Sequence, residues 1–192
     1  MIKIIETYYK EIFNSINNIK VNNKEGNAID FYTGINDCCS LILKQIEING
    51  KLMFIGNGAS ASIASHMAAD FLKNGQIKAM AFNEAPLLTC ISNDLGYKHV
   101  FEMPIRMFGH NTDILFAISS SGQSENILRG VDAAREKNCH VITLSGFNEK
   151  NPLSKLGDYN FYVPINKYGH VEIIHHSICH CILDMIITAK QR

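Results

Sequence analysis

Leu115-Phe116-Ala117-Ile118-Ser119-Ser120-Ser121-Gly122-Gln123-Ser124-Glu125-Asn126 decides the architecture of this chain. The apolar run from Ile114 to Ile118 has strand character and stops at three serines and a glycine. From Ser124 a helical pattern takes over, carried by Ile127, Leu128, Val131 and Ala134. Strand, hydroxyl-rich turn and helix start in succession make an anion site, because backbone N–H groups and the positive end of the helix dipole converge on the turn. An ordinary helix cap needs one serine. Four serines exceed that need, and the turn is read as a phosphate site.

Outward from this stretch the pattern alternates. Strands are expected at 51–55, 77–82, 113–118, 139–144 and 159–163, and helices at 60–73, 86–94, 99–107, 124–137 and 170–190. Such alternation implies βαβ units, a parallel sheet and helices on both faces. Two amphipathic helices precede the first strand. One spans 2–20 through Ile4, Ile5, Tyr8, Tyr9, Ile12, Phe13, Ile16 and Ile19. The other runs through Ile29, Tyr32, Ile35, Cys39, Ile42 and Ile46. The expected organisation is a single α/β domain, with 1–50 a helical N-terminal extension and 51–192 the core. The two leading helices carry more large apolar residues than one modest sheet can bury, which predicts an oligomer.

Composition removes several classes. Lys plus Arg total 18 and Asp plus Glu total 18, so no net charge favours nucleic acid or an anionic membrane. No apolar run approaches the ~20 residues of a membrane span, and the charged N-terminus does not read as a signal peptide. The six cysteines show no Cys-x-x-Cys spacing and read as buried thiols of a cytoplasmic protein.

A second turn, Gly56-Asn57-Gly58-Ala59-Ser60-Ala61, follows Leu52 to Ile55 and opens a helix. It fits the Gly-x-Gly-x-x-Ala dinucleotide pattern, with Glu84 near the end of the next strand. A dinucleotide has no use for the serine turn, however. Two polar turns at strand ends suit a small phosphorylated substrate across the sheet crest. His66 and Asp70 share one face of the helix after the first turn. The last helix carries Glu172, His175, His176 and His180; Glu172 and His180 lie about 80° apart around the axis. His175 and His176 are read as hydrogen-bonded core or interface residues. Two helices each offering an imidazole and a carboxylate match the N/O donors that a borderline divalent metal accepts.

The glycine turn, His66 ten residues beyond Gly56, Asn93-Asp94, Ser119 to Ser124 and His180 together resemble the sugar isomerase domain. More narrowly, they resemble the bacterial phosphoheptose isomerases. The resemblance covers essentially the whole chain. It implies a flavodoxin-like three-layer sandwich with a central parallel sheet, a homotetramer, and active sites at subunit contacts. The activity implied converts sedoheptulose 7-phosphate to D-glycero-D-manno-heptose 7-phosphate through an enediol, for surface heptose synthesis.

Carried over by position, Asn57, Gly58, Ala59, Ser60, Asn93, Asp94 and Glu172 would meet the sugar. Ser119, Ser120, Ser121 and Ser124 would hold the phosphate. His66, Asp70, Glu172 and His180 would hold one Zn²⁺, or a similar divalent ion, per subunit. Asp70 or Glu172 would be the base at carbon, and His180 an acid at oxygen or a ligand. Three positions depart from the family. Asp70 stands for its catalytic glutamate, Glu172 for a glutamine, and Asn74 for an arginine. Two other readings are an isomerase of a different ketose phosphate and a non-catalytic member that binds a protein. The ionisable Asp70 and His180 favour an enzyme over the latter.

Overall fold

The computed structural model describes residues 1–191. In chain order the elements are α1 (Ile2–Asn17), β1 (Lys20–Asn23), β2 (Ala28–Ile29), α2 (Phe31–Glu47), β3 (Leu52–Gly56), α3 (Ala59–Lys73), β4 (Ala79–Ala81) and α4 (Ala85–Leu95). They continue as α5 (Glu102–Phe108), β5 (Ile114–Ser119), α6 (Glu125–Glu136), β6 (His140–Ser145), β7 (Tyr159–Tyr162) and α7 (Tyr168–Lys190). Short 3₁₀ turns cover Tyr97–His99 and Pro152–Lys155. Every strand and helix expected beyond residue 50 is present within a few residues of its expected span.

The strands form one sheet in the order β2-β1-β7-β6-β5-β3-β4. β4, β3, β5, β6 and β7 are mutually parallel. Counted alone in chain order they read 2-1-3-4-5, the flavodoxin order, whose switch point lies between β3 and β5. The glycine and serine turns are the two loops that leave the sheet at this switch point.

Strand periodicity sorts the core onto two faces. Phe54, Phe116, Ile118, Ile142, Leu144 and Phe161 pack under α2, α3 and α7. Met53, Ile55, Leu115, Ala117 and Val141 pack under α4, α5 and α6. Phe54 and Phe116, from adjacent strands, stack at 4.7 Å between ring centroids. Both faces are covered, which is why these strands read as unbroken apolar runs rather than alternating ones.

The N-terminal fifty residues correct the expectation of a purely helical extension. Residues 20–29 form a hairpin on the sheet edge, and β1 pairs antiparallel with β7 from Lys20↔Tyr162 to Asn23↔Tyr159. The Asn23 side chain accepts from Asn27 N–H, and Gly26 at φ 82° closes the turn. Ile29 belongs to this hairpin, and α2 begins only after Asp30, whose carboxylate caps the N–H groups of Tyr32 and Thr33. Val21 is the one apolar residue in β1, so the strand had no periodicity to announce it. Partners more than a hundred residues away hold it, including Asn160, which donates to the Asn22 side chain at 2.8 Å.

By length and composition α7 could span a membrane, with a mean hydropathy of 1.3 over its most apolar window. Its apolar residues Val171, Ile174, Ile178, Ile182 and Leu183 are buried in the core instead. All six cysteines are free, and Cys90 is exposed on α4, against the expectation of a buried thiol. Burial pushes the Cys179 thiol up to about 12.

Candidate active site

The two turns owe their shapes to glycines. A Cβ on Gly56 would come within 2.4 Å of the Ser60 carbonyl oxygen, so only glycine lets α3 start this tightly after β3. Gly58 sits at φ 55° before α3, which has no side-chain cap. Its first N–H groups are therefore open to an anion. In the serine turn, Gly122 at φ 63° lies against Asn151, whose side-chain oxygen a Cβ would overlap. Asn151 in turn donates to Ser145 Oγ at 3.1 Å and to the Asn148 carbonyl at 2.7 Å. Ser119 Oγ accepts from Gly122 N–H at 3.2 Å, and Ser121 Oγ from Gln123 N–H at 3.3 Å. The turn is thus held in shape by its own hydroxyls and by the loop after β6.

Ser124 occupies the N-cap position of α6, yet its hydroxyl makes no capping bond. That separates the site from an ordinary capped helix, because both the hydroxyl and the helix N-terminus remain available. Between the turns lies a cleft of about 140 Å³. Asn57, Ser60 and the four serines line one side, and Tyr168 and Glu172 of α7 the other. Gly58 and Ala59, expected to meet the sugar, are exposed and are not among the residues that line it.

Asn93 and Asp94, expected to meet the sugar, do not line this cleft. They lie exposed in the last turn of α4, and Asn93 Nδ2 donates to Asp94 Oδ1 at 2.7 Å. The residue that does reach the first turn from this region is Tyr97, whose hydroxyl donates to Asn57 Oδ1 at 2.9 Å. Buried Asn126 on α6 exchanges two hydrogen bonds with Asn57, at 2.8 and 2.9 Å. Asn57 is thereby tied to both turns. Asn126 ends the deciding stretch, but only its place across the switch point gives it this part.

One helical turn along α7 from the cleft is a second cluster. Ring nitrogens of His66, His176 and His180, one from each, all lie within 4.8 Å of one another. Asp70 Oδ2 is 3.2 Å from His66 Nε2 and 4.0 Å from His180 Nδ1. Asn74 Nδ2 donates to Asp70 Oδ1 at 3.2 Å, so the residue aligned with an arginine here steadies a carboxylate. His66, Asp70 and His180 come together as the spacing implied. Glu172, expected in the same ligand set, is absent from the cluster and lines the cleft instead. Four residues separate it from His176, which sets it about 6 Å along the axis. His180 stands with the other imidazoles rather than in the cleft, which favours the ligand role over the acid.

His176, read as a core or interface residue, lies in this cluster. It is half-buried beside His66 and His180 at ring-centroid distances of 5.0 and 4.6 Å. Burial and then its two imidazole neighbours lower its pKa, against the opposing pull of Asp70. His175 is the core residue expected. Fully buried, it donates from Nε2 to the Ser145 carbonyl at 3.1 Å, and burial lowers its pKa to about 4.

The SIS domain family model matches residues 7–146. A phosphoheptose isomerase of Helicobacter hepaticus is 32% identical over 158 residues, covering 79% of this chain and 80% of the relative. Two solved phosphoheptose isomerases share the fold over nearly their whole length. That of Francisella tularensis has a TM-score of 0.84 at 25% identity, covering 100% of this chain and 99% of its own. That of Neisseria gonorrhoeae has a TM-score of 0.82 at 28% identity, covering 96% and 98%.

Proposed function

The chain belongs to the SIS domain family, and from that premise we propose that it is a phosphoheptose isomerase. It interconverts sedoheptulose 7-phosphate and D-glycero-D-manno-heptose 7-phosphate in surface heptose synthesis. The observation that carries this is one cleft at the sheet's switch point, with four serines at an uncapped helix start facing Glu172, in a chain whose relatives bear that name.

The phosphate sits on Ser119, Ser120, Ser121 and Ser124 and on the N-terminus of α6. Hydroxyl and N–H donors supply the binding there, with the helix dipole adding a few tenths of a kcal/mol to about 1 kcal/mol. Asn57, held by Tyr97 and Asn126, and the open N–H groups of α3 take sugar hydroxyls.

Aldose–ketose interconversion removes the proton from C1 of the ketose and returns one to C2 through an enediol. The base must lie within hydrogen-bond reach of that proton. Glu172 is the carboxylate inside the cleft, whereas Asp70 is engaged by His66 and Asn74. Glu172 therefore takes the C1 proton as carboxylate and gives it to C2 as carboxylic acid. The hydroxyls of Ser60 and Tyr168 line the same cleft; they donate to the developing enediolate oxygens and pass the O1 hydroxyl proton to O2, which balances the transfer at carbon.

The residues also fit a divalent metal. Three imidazoles converge beside a carboxylate, and the buried Nε2 of His176 has no hydrogen-bond partner. His66, Asp70 and His180 would hold Zn²⁺ or a similar ion, which when bound supplies a Lewis acid toward the substrate carbonyl.

Ile2, Ile4, Ile5, Tyr9 and Phe13 of α1 are each more than half exposed, a face suited to other copies of the chain. That face supports our reading of the chain as a homotetramer with sites at subunit contacts, and the free thiols support a cytoplasmic place. A light-scattering mass near 21.5 kDa would overturn the tetramer.

The direct test incubates pure protein with sedoheptulose 7-phosphate and follows the aldose. Turnover is expected, and its absence while other ketose phosphates react would move the substrate assignment. Replacing Ser121 and Ser124 together with alanine is expected to raise KM about 10-fold or more with the fold intact, at roughly 1 kcal/mol per lost hydrogen bond. Unchanged KM would remove the phosphate from this turn.

A further inference from the structure

We propose that His176 is a metal ligand, completing with His66, His180 and Asp70 a site of three imidazoles and one carboxylate from which Glu172 is excluded. This rests on the reading above that a divalent ion binds at this place, and it changes which residues hold it.

Two helices supply the donors in matched pairs. His66 and Asp70 are four apart on α3, and His176 and His180 four apart on α7, so each pair projects from one face of its helix. Where the helices meet, the three imidazoles offer atoms within 4.8 Å of one another. A tetrahedral Zn²⁺ with Zn–N bonds of ~2.0 Å sets its ligand atoms about 3.3 Å apart. Small side-chain rotations close the difference.

Three features single out His176. Its Nε2 is buried and lacks a hydrogen-bond partner, a costly state for an imidazole nitrogen unless something fills the place. It packs directly on both other histidines. And Glu172, the other α7 residue expected in the ligand set, lines the serine cleft one turn away. Three neutral nitrogens and a carboxylate suit Zn²⁺ or Co²⁺ rather than Mg²⁺ or Ca²⁺, which prefer oxygen.

The consequence is a division of labour along α7. His176 and His180 serve the ion, and Glu172 keeps its charge for the substrate. A carboxylate bound to a metal is a weaker base than a free one, so releasing Glu172 favours proton abstraction.

The test compares the full-length protein with His176→Phe, which keeps a ring and removes both nitrogens, and with Glu172→Gln. Zn²⁺ affinity is measured by competition with a chromophoric chelator, and the coordination sphere by the ligand-field spectrum of bound Co²⁺. His176→Phe is expected to weaken binding by more than the roughly 10–100-fold that loss of an outer-shell partner costs, and to change the Co²⁺ spectrum. Glu172→Gln is expected to leave both unchanged.

The assignment is overturned if Glu172→Gln weakens binding and His176→Phe does not, or if wild type binds neither ion. His176→Gln replaces the phenylalanine variant if circular dichroism shows the latter unfolded. An isomerase assay on the same samples separates this from the activity. Tight binding through His176 with no turnover of any ketose phosphate would sink the isomerase and leave the ligand set standing.

Discussion

Glu172→Gln lowers kcat by about 10²–10⁴-fold, the contribution of one positioned acid–base group, while KM stays within a few-fold. Glutamine keeps the length and the hydrogen-bonding head of glutamate and removes only its capacity to take a proton. The loss corresponds to roughly 3–5 kcal/mol of transition-state stabilisation. The proposed mechanism gives Glu172 this role because it lines the cleft with the four serines and Ser60, where that mechanism places the sugar phosphate. Asp70 is one methylene shorter than glutamate, and its two oxygens are engaged by His66 and Asn74. Placement decides between them, since ~1 Å of misplacement can cost about 10²-fold. Asp70→Asn should lose metal affinity together with turnover, and turnover should recover in part at high metal concentration. The opposite pattern would make Asp70 the base: Glu172→Gln within tenfold of wild type, and Asp70→Asn dead at saturating metal. Single-turnover and steady-state rates on the two variants distinguish these outcomes.

The parts of this molecule written in local sequence were legible, and those made by distant chain segments were not. Ile114 to Ile118 and Leu52 to Ile55 announce buried strands because both sheet faces are covered, and a run of four or five apolar residues is the local imprint of that burial. The glycine and serine turns announce themselves because a tight strand-to-helix turn admits few residues. β1 and β2 left no imprint, since Val21 and Ile29 are the only large apolar residues across 20–29 and pairing with β7 supplies the rest. In the site, i,i+4 spacing put His66 with Asp70, but could not say which α7 residues would meet them. Glu172, His176 and His180 share a helix, and only the crossing of α3 over α7 selects the last two. Tyr97 and Asn126 were equally silent. They act through Asn57, across the switch point, and spacing does not encode a contact made by sheet topology.

Asp158→Ala should cost about 3 kcal/mol of stability at pH 7 and leave kcat within twofold of wild type. The residue lies before β7, at the end of the sheet where β6 begins, opposite the strand ends that hold the serine cleft. Its Oδ2 accepts from Val141 N–H at 2.7 Å and from Arg135 Nη1 at 2.8 Å, with His140 Nδ1 at 3.6 Å, and its side chain is 14% exposed. Arg135 also donates to the Leu156 carbonyl at 2.7 Å, so one carboxylate ties α6, β6 and the approach to β7 together. Removing it strands a half-buried guanidinium and a backbone N–H, and leaving such groups unpaired costs about 1–3 kcal/mol, more for charged ones. Burial alone would push this carboxyl up; the nearby His140 imidazole and the hydrogen bonds from Val141 N–H and Arg135 outweigh it and hold the group well below the usual carboxylate range. The sign follows from that depression. In the unfolded chain the carboxyl titrates near its ordinary value of about 3.9, so above that pH its contribution is fully present. Below it the unfolded state takes up the proton first, and the contribution drains away as pH falls toward the depressed folded value. Urea midpoints of wild type and variant should therefore be furthest apart at neutral pH and converge below about pH 4. A gap that stays constant with pH would mean that Asp158 acts through packing rather than charge, and a matching loss of kcat would mean that the two ends of the sheet are not independent.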